Sequence, residues 1–352
     1  MRQPRPRSDQ RLLCAPLVAV IVLAMVAAAC SKSNKSASKR TNPPQATSST
    51  LPPTYPLTGL PATDTAKAAR PALSVKIDNV TLAQPQVGLD GADVVFEEVV
   101  EGGLTRLLTI FQSNDASPLG PVRSVRPTDP NLVAPFGGIF AYSGGSDRFD
   151  KLIRSTPGIT AVSPSDDGGA FPRRSVHAAP HNQYTSTPAL YKHSASGAKP
   201  PPPFSPFLAG GQPFAPPGAA PATRLAASVG MVPVAYDWDP AAGRWKRSMN
   251  GKADTLENGK QLTATTVILQ FVAYTPVAGA TDPTGAQVFE AQVIGSGDAW
   301  VLANGMVVKG KWSKPAQSSV TSYTDAAGAP ISLPPGQTWV EVAQTGAATS
   351  TS

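Results

Sequence analysis

The body of this chain has no cysteine. Its two cysteines, Cys14 and Cys30, both fall within the first thirty of 352 residues. Neither a disulfide framework nor a cysteine-based metal site can form downstream of them. Charge is also scarce, at 15% of residues. Eight of the 30 cations lie before Pro56, against one of the 23 acids, so the remainder carries 22 of each. A neutral body argues against a broad basic face for phosphate backbones, and no nucleic-acid partner is expected. There is no glycine-lysine phosphate loop, no His-Glu-x-x-His, no calcium loop and no Gly-x-Ser-x-Gly elbow. The sequence therefore names no cofactor, no metal and no catalytic residue. With 38 prolines and 30 glycines, a helix-rich architecture is not expected either.

What is present begins with a targeting segment. Residues 1–30 have an arginine-rich start, an uncharged run from Leu12 to Ala29, and Ala27-Ala-Ala-Cys30. That order is a secretory signal. A cysteine directly after small residues resembles the bacterial lipobox, in which Cys30 is lipidated and becomes the mature N-terminus. Ala27 departs from it, since leucine is commonest there. The alternative is an uncleaved anchor, because the 18 residues of the run are just enough to span a bilayer. Either reading puts the body on the extracytoplasmic face of the cell membrane. Residues 31–55 are mostly Ser, Lys, Asn, Thr and Pro and read as a disordered tether, with too little apolar surface to offset its ordering entropy.

The rest reads as an α+β protein in two parts. Residues 56–199 mix strands and short helices without regular alternation, as in an α+β domain. Ala72–Asp78 and Ile139–Ser143 read as strands, and Asp147–Ser155 as a helix with Ser146 at its N-cap. Thr187–Lys192 reads as a short helix with a first-turn proline. Residues 200–221, dense in proline, read as a linker. Residues 222–342 read as a mostly antiparallel β domain. Its strands are expected at Val234–Trp238, Arg244–Met249, Thr265–Tyr274, Gln287–Ile294, Trp300–Leu302, Met306–Trp312, Val320–Thr324, Ile331–Leu333 and Thr338–Val342. Asn304-Gly305 is the strongest short hairpin signal. Residues 343–352 are expected to be disordered.

The densest charge lies between Arg70 and Arg126. Val94–Val100 and Leu104–Phe111 flank Gly102-Gly103, which predicts a hairpin. Strand alternation puts Glu97, Val99 and Glu101 on one face, and Phe96, Glu98 and Val100 on the other. Further motifs are Arg70-Pro71, Ile77-Asp-Asn79, Gln84-Pro-Gln-Val-Gly-Leu89, Glu101-Gly-Gly-Leu-Thr-Arg106, Gly120-Pro-Val-Arg-Ser-Val-Arg126 and Pro180-His-Asn-Gln-Tyr-Thr-Ser186. Taken in order, these blocks resemble the YerB-type lipoprotein family, from about Pro56 to Val342. The resemblance implies an N-terminal and a C-terminal domain and assigns no biochemical activity.

Candidate site residues are Glu97, Glu101, Arg106, Arg123, Arg126, His181 and Asn182, expected to converge on one polar patch. Glu97 and Glu101 stand roughly 13 Å apart along a strand. They read either as part of an ion-pair cluster with the arginines or as ligand-binding groups. His181 follows a proline on a loop, where binding residues are commonly displayed, and no nucleophile is evident beside it. The five tryptophans, all beyond residue 230, read as core rather than as sugar-stacking platforms.

Two functions remain open. One is a non-catalytic, membrane-anchored binding protein of the cell envelope, with cell-wall material or another envelope protein as its ligand. The other is an envelope hydrolase acting on cell-wall glycan or peptide, using Glu97 or Glu101 with His181.

Overall fold

The computed structural model describes residues 53–352. The signal segment, Cys30 and nearly all of the tether lie outside the described residues. Thr54 and Tyr55, expected to end that tether, already belong to the fold: Thr54 bridges Pro61 and Tyr55 is buried.

Residues 56–199 contain β1 (Leu73–Asp78), β2 (Val94–Val99), β3 (Thr105–Phe111), β4 (Gly138–Ala141) and β5 (Ile159–Val162). Four short helices accompany them: α1 (Thr65–Ala69), α2 (Asp129–Val133), α3 (Asp147–Arg154) and α4 (Thr187–Leu190). The β2–β3 hairpin turns through Gly102 and Gly103, at φ 64° and 70°. Only glycine enters that region without strain. Beyond Arg224 the chain is almost wholly β, and the protein is α+β.

The two parts share one sheet. Thr338–Gln344 lies parallel to β2, with Val340 opposite Phe96 and Glu341 opposite Glu97. On its other side Thr338–Gln344 pairs in parallel with Thr266–Val272, and Gly295–Ala303, Met306–Lys314 and Ser322–Thr324 follow outward. On the other side of β2 the order is β3, β1, β4, β5.

A second, antiparallel sheet is built from Arg224–Val229, Val232–Asp239 and Arg244–Met249, with short strands at its edges. It stacks on one face of the large sheet. Leu225, Val234, Tyr236 and Trp245 share a core there with Val75, Val95, Leu107, Val267 and Trp339. The opposite face carries a separate core, in which Phe96, Leu108, Phe140 and Val340 meet Leu132, Phe149 and Ile153 of the helices. The central strands β1, β2, β3 and Thr338–Gln344 thus bury both faces, at about 25 cal/mol per Å² of apolar surface.

Three expectations are corrected. The tail is not disordered: Thr349–Thr351 pairs with Arg224–Val229, because that edge of the second sheet offers free backbone groups. Ile331–Leu333 forms only one isolated bridge, at Leu333, since Pro330, Pro334 and Pro335 remove the donors a strand needs. The proline-rich stretch has no regular element before Ala220, yet it is a packed strap. Phe204 and Phe214 are buried, and Phe204 stacks on Phe136 and meets Phe96 edge-on. Trp245, Trp312 and Trp339 are core residues as expected, whereas Trp238 and Trp300 are partly exposed.

Candidate functional site

Strands β1, β2 and β4 run in the same direction, so their carboxyl ends lie along one edge of the sheet. Ligands of open sheets with parallel strands settle in the crevice outside such ends. Here the chain leaves β4 through Tyr142–Ser146, enters α3, and returns as the parallel strand β5. Gly144, at φ 114°, makes the turn that aims the amino end of α3 at this edge.

The Gly120–Arg126 segment is threaded between the ends of β1 and β4. Arg123 N–H donates to Lys76 O at 2.8 Å, Ser143 N–H to Arg123 O at 3.0 Å, and Val125 N–H to Gly144 O at 2.9 Å. Beyond Val125 the chain turns, with Asp129 N–H bonded to Arg126 O at 3.1 Å. That turn lets Arg123 and Arg126, three apart, serve the same side of the molecule.

Five of the seven candidate residues come together here. Arg126 grips Glu101 with two contacts, Nε–Oε1 at 2.6 Å and Nη2–Oε2 at 2.8 Å. Arg123 Nε and His181 Nδ1 both reach Asp78 Oδ2, at 3.0 and 2.7 Å. Arg106 lies among these groups and donates from Nη1 to Ser124 O at 2.9 Å. Among the described residues it has no carboxylate within salt-bridge distance. Burial, then the neighbouring guanidinium groups of Arg126 and Arg123, lower its pKa to about 9, which leaves it charged at neutral pH.

Two candidates are placed elsewhere. Glu97 is fully buried on the opposite face of the sheet, where it accepts from Arg247 and from Asn79 Nδ2 at 3.0 Å. Alternation predicted Glu97 and Glu101 on one face. The bend beyond Val99 breaks that alternation, and Glu101 swings to the edge. Asn182 accepts from Arg173 Nη1 at 2.5 Å instead of joining the arginines of the patch.

Behind the patch stands a buried triad that the sequence reading missed. Lys76 pairs with Glu98, and with Asp129 at 2.8 Å, all excluded from solvent. Asp129 Oδ2 also accepts Arg126 N–H at 2.6 Å, so the triad fixes the backbone that carries Arg126. Burial first, and then the charge of Asp129, push Glu98 up to about 7. Asp78 lay within a quoted motif but carried no sign of its role.

The patch opens into a cleft of about 430 Å³. Glu101, Ser124, Arg126 and Ser146 line one side, and Thr281 and Asp282 of the protruding Tyr274–Ala291 hairpin line the other. A larger hollow of about 700 Å³ lies over Ala226, Ser228, Ala235 and Asp237 of the second sheet. Its charged lining is the exposed Arg224–Asp237 pair, and such pairs contribute little. The chemistry is concentrated in the smaller cleft.

Comparison with known proteins agrees with this architecture. Residues 57–199 match the N-terminal domain, and residues 224–340 the C-terminal domain, of the family described as "Protein of unknown function (DUF3048)". A relative from Bacillus subtilis (strain 168) named "Putative lipoprotein YerB" is 29% identical over 291 residues, covering 82% of this chain and 85% of the relative. The crystal structure of YerB protein from Bacillus subtilis superposes with a TM-score of 0.70 at 26% identity, covering 84% of this chain and 99% of that one.

Proposed function

The chain belongs to the YerB-like lipoprotein family with its paired N- and C-terminal domains, and on that premise we propose a lipid-anchored binding protein of the cell envelope. Its body stands on the extracytoplasmic face of the membrane, tethered through Cys30, and its ligand is cell-wall material or an envelope protein. The observation that carries the reading is the cleft at the strand ends. There Glu101, Ser124, Arg126 and Ser146 border an open cavity, while the buried Lys76 triad holds the backbone of Arg126 in place. Binding sites combine such preorganised polar groups with a supporting layer behind them.

Two experiments test it. Cys30→Ala in cells should release the protein or leave it unprocessed; unchanged mature mass and membrane retention would remove the lipid anchor. A photo-cross-linking residue placed at Ser124 should capture a discrete envelope component in intact cells, and Arg126→Gln should abolish the capture. A cross-link pattern indifferent to Arg126 sinks the binding site.

One observation favours the hydrolase as a second reading. His181 Nδ1 is held by Asp78 at 2.7 Å, the arrangement that orients an imidazole as a general base. Among the described residues no hydroxyl or thiol hydrogen-bonds to His181, so this reading takes water as the attacking group. Glu97, sealed beneath Arg247, cannot serve as its acid; Glu101 remains. Glu101→Gln separates the readings, since a hydrolase retains binding and loses turnover.

A further inference from the structure

We propose that Glu97 and Glu341 share one proton, and that this proton latches the second sheet onto the large one until rising pH removes it.

The two carboxyl groups belong to the large sheet. Glu97 on β2 and Glu341 on Thr338–Gln344 stand opposite one another in register, and both are fully buried. Their partners come mostly from the second sheet. Arg247 donates to Glu97 and to Asp254, and the Tyr236 hydroxyl donates to Glu341 Oε1. From the chain just beyond β1, Asn79 Nδ2 donates to Glu97 at 3.0 Å. One atom is left over. Glu341 Oε2 is buried, and among the described residues no donor reaches it, while the Glu97 carboxyl lies within its hydrogen-bonding reach. A bare carboxylate oxygen set against a second carboxylate suffers both lost hydration and like-charge repulsion. A proton between the two converts that repulsion into a hydrogen bond.

The surrounding charges lead to the same assignment. Among the described residues Arg247 is the only cation within salt-bridge distance of Glu97, Glu341 or Asp254. With one proton on the glutamate pair, Arg247 matches its remaining charge, and the excess falls on Asp254, at the solvent side. Lys252 nearby is exposed and pairs with none of the three. Burial, then the charge of Glu341, raise Tyr236 well above its ordinary range, so it stays a donor. Tyr274 is occupied, donating to Val342 O at 2.7 Å. Glu98 lies on the opposite face with Lys76 and Asp129.

The network spans the seam between the sheets, and the seam has an opening. Asp254 lines a hollow of about 410 Å³, with Thr81 and Gln84 on one side and Met249 and Thr255 on the other. The proton leaves to bulk water there, and water enters there once two carboxylates face each other. The sign follows from the raised folded pKa of Glu341, caused by burial and then by Glu97. Such a group stabilises the fold at low pH, and that stability is lost as pH rises through the folded pKa.

Amide hydrogen exchange on the full chain in detergent tests this between about pH 5 and pH 9, corrected for the intrinsic pH dependence of exchange. Protection of Val232–Asp239 and Arg244–Met249 is compared with that of β4, which lies away from the seam. In wild type the ratio should fall about tenfold or more as pH rises, one pKa unit being a factor of ten. Glu341→Gln is a neutral stand-in for the protonated acid, able to accept from Tyr236 and donate to Glu97, and it should hold the ratio constant. Glu98→Gln and Asp254→Asn should leave the dependence in place. A ratio indifferent to pH in wild type overturns the latch, as does a dependence that persists in Glu341→Gln. Melting curves identify a variant that fails to fold. If Glu341→Gln is one, the other two decide: a dependence surviving both supports the glutamate pair, and one that vanishes in either overturns it.

Discussion

The guanidinium of Arg247 donates to Glu97, and both side chains are wholly excluded from water. They lie 150 residues apart, one on the second sheet and the other on β2, so this contact ties the two parts of the chain together. Asp254 also accepts from Arg247, and Glu341, beside Glu97 on the next strand, lies 3.8 Å from Arg247 Nε. Three carboxyl groups surround one cation. Burial, and then the adjacent Glu97, push Glu341 well above the ordinary carboxyl range.

Arg247→Met should destabilise the protein by about 3–5 kcal/mol, because it leaves a cluster of buried acids with no cation beside them. Urea denaturation measures it. A loss below about 1 kcal/mol, the level of an exposed pair, would mean that the network does not hold the two parts together.

Arg106→Met should behave differently. Among the described residues no carboxylate depends on Arg106 for a salt bridge, so stability should change by less than about 1 kcal/mol or rise, as when a residue kept for function is removed. A loss comparable to that of Arg247→Met would make Arg106 a structural residue.

The pH dependence follows from Glu98. Its folded pKa is raised from 4.5 to about 7, so the folded state holds this proton more tightly than the unfolded chain. The resulting stability is fully present below pH 4.5 and is lost as pH rises through about 7. Glu341 and Asp254, both raised, act in the same direction. Melting temperature should therefore fall between pH 5 and pH 8, and Glu98→Gln should flatten that slope. A melting temperature that climbs over this interval would contradict the assignment.

The two glycines of the β2–β3 turn should differ. A Cβ at Gly102 meets nothing, whereas one at Gly103 falls 2.6 Å from Met231 Cγ. Gly102→Ala should cost only the left-handed backbone strain, about 1–2 kcal/mol, and Gly103→Ala more. Equal losses would show that Met231 yields freely.

Some of this was legible in the sequence because it is local. Gly102-Gly103 and Asn304-Gly305 announced their hairpins, and the apolar spacing of Phe149, Leu152 and Ile153 announced α3. The alternation along β2 correctly sent Glu97 and Glu98 to opposite faces. It could not say what covers each face. A period of two gives the side of a sheet to which a residue belongs, whereas its neighbour depends on which strands pair and which sheets stack. The sequence therefore determined many of the strands, the tight turns and the neutrality of the body, but it overcalled Ile331–Leu333 and did not announce β5 or Arg224–Val229. Only the tertiary structure gave Arg247 to Glu97, brought Glu341 beside it, and left Arg106 without a carboxylate. Those contacts join residues far apart in the chain, and they exist only because Thr338–Gln344 pairs with β2 and the second sheet closes over the first.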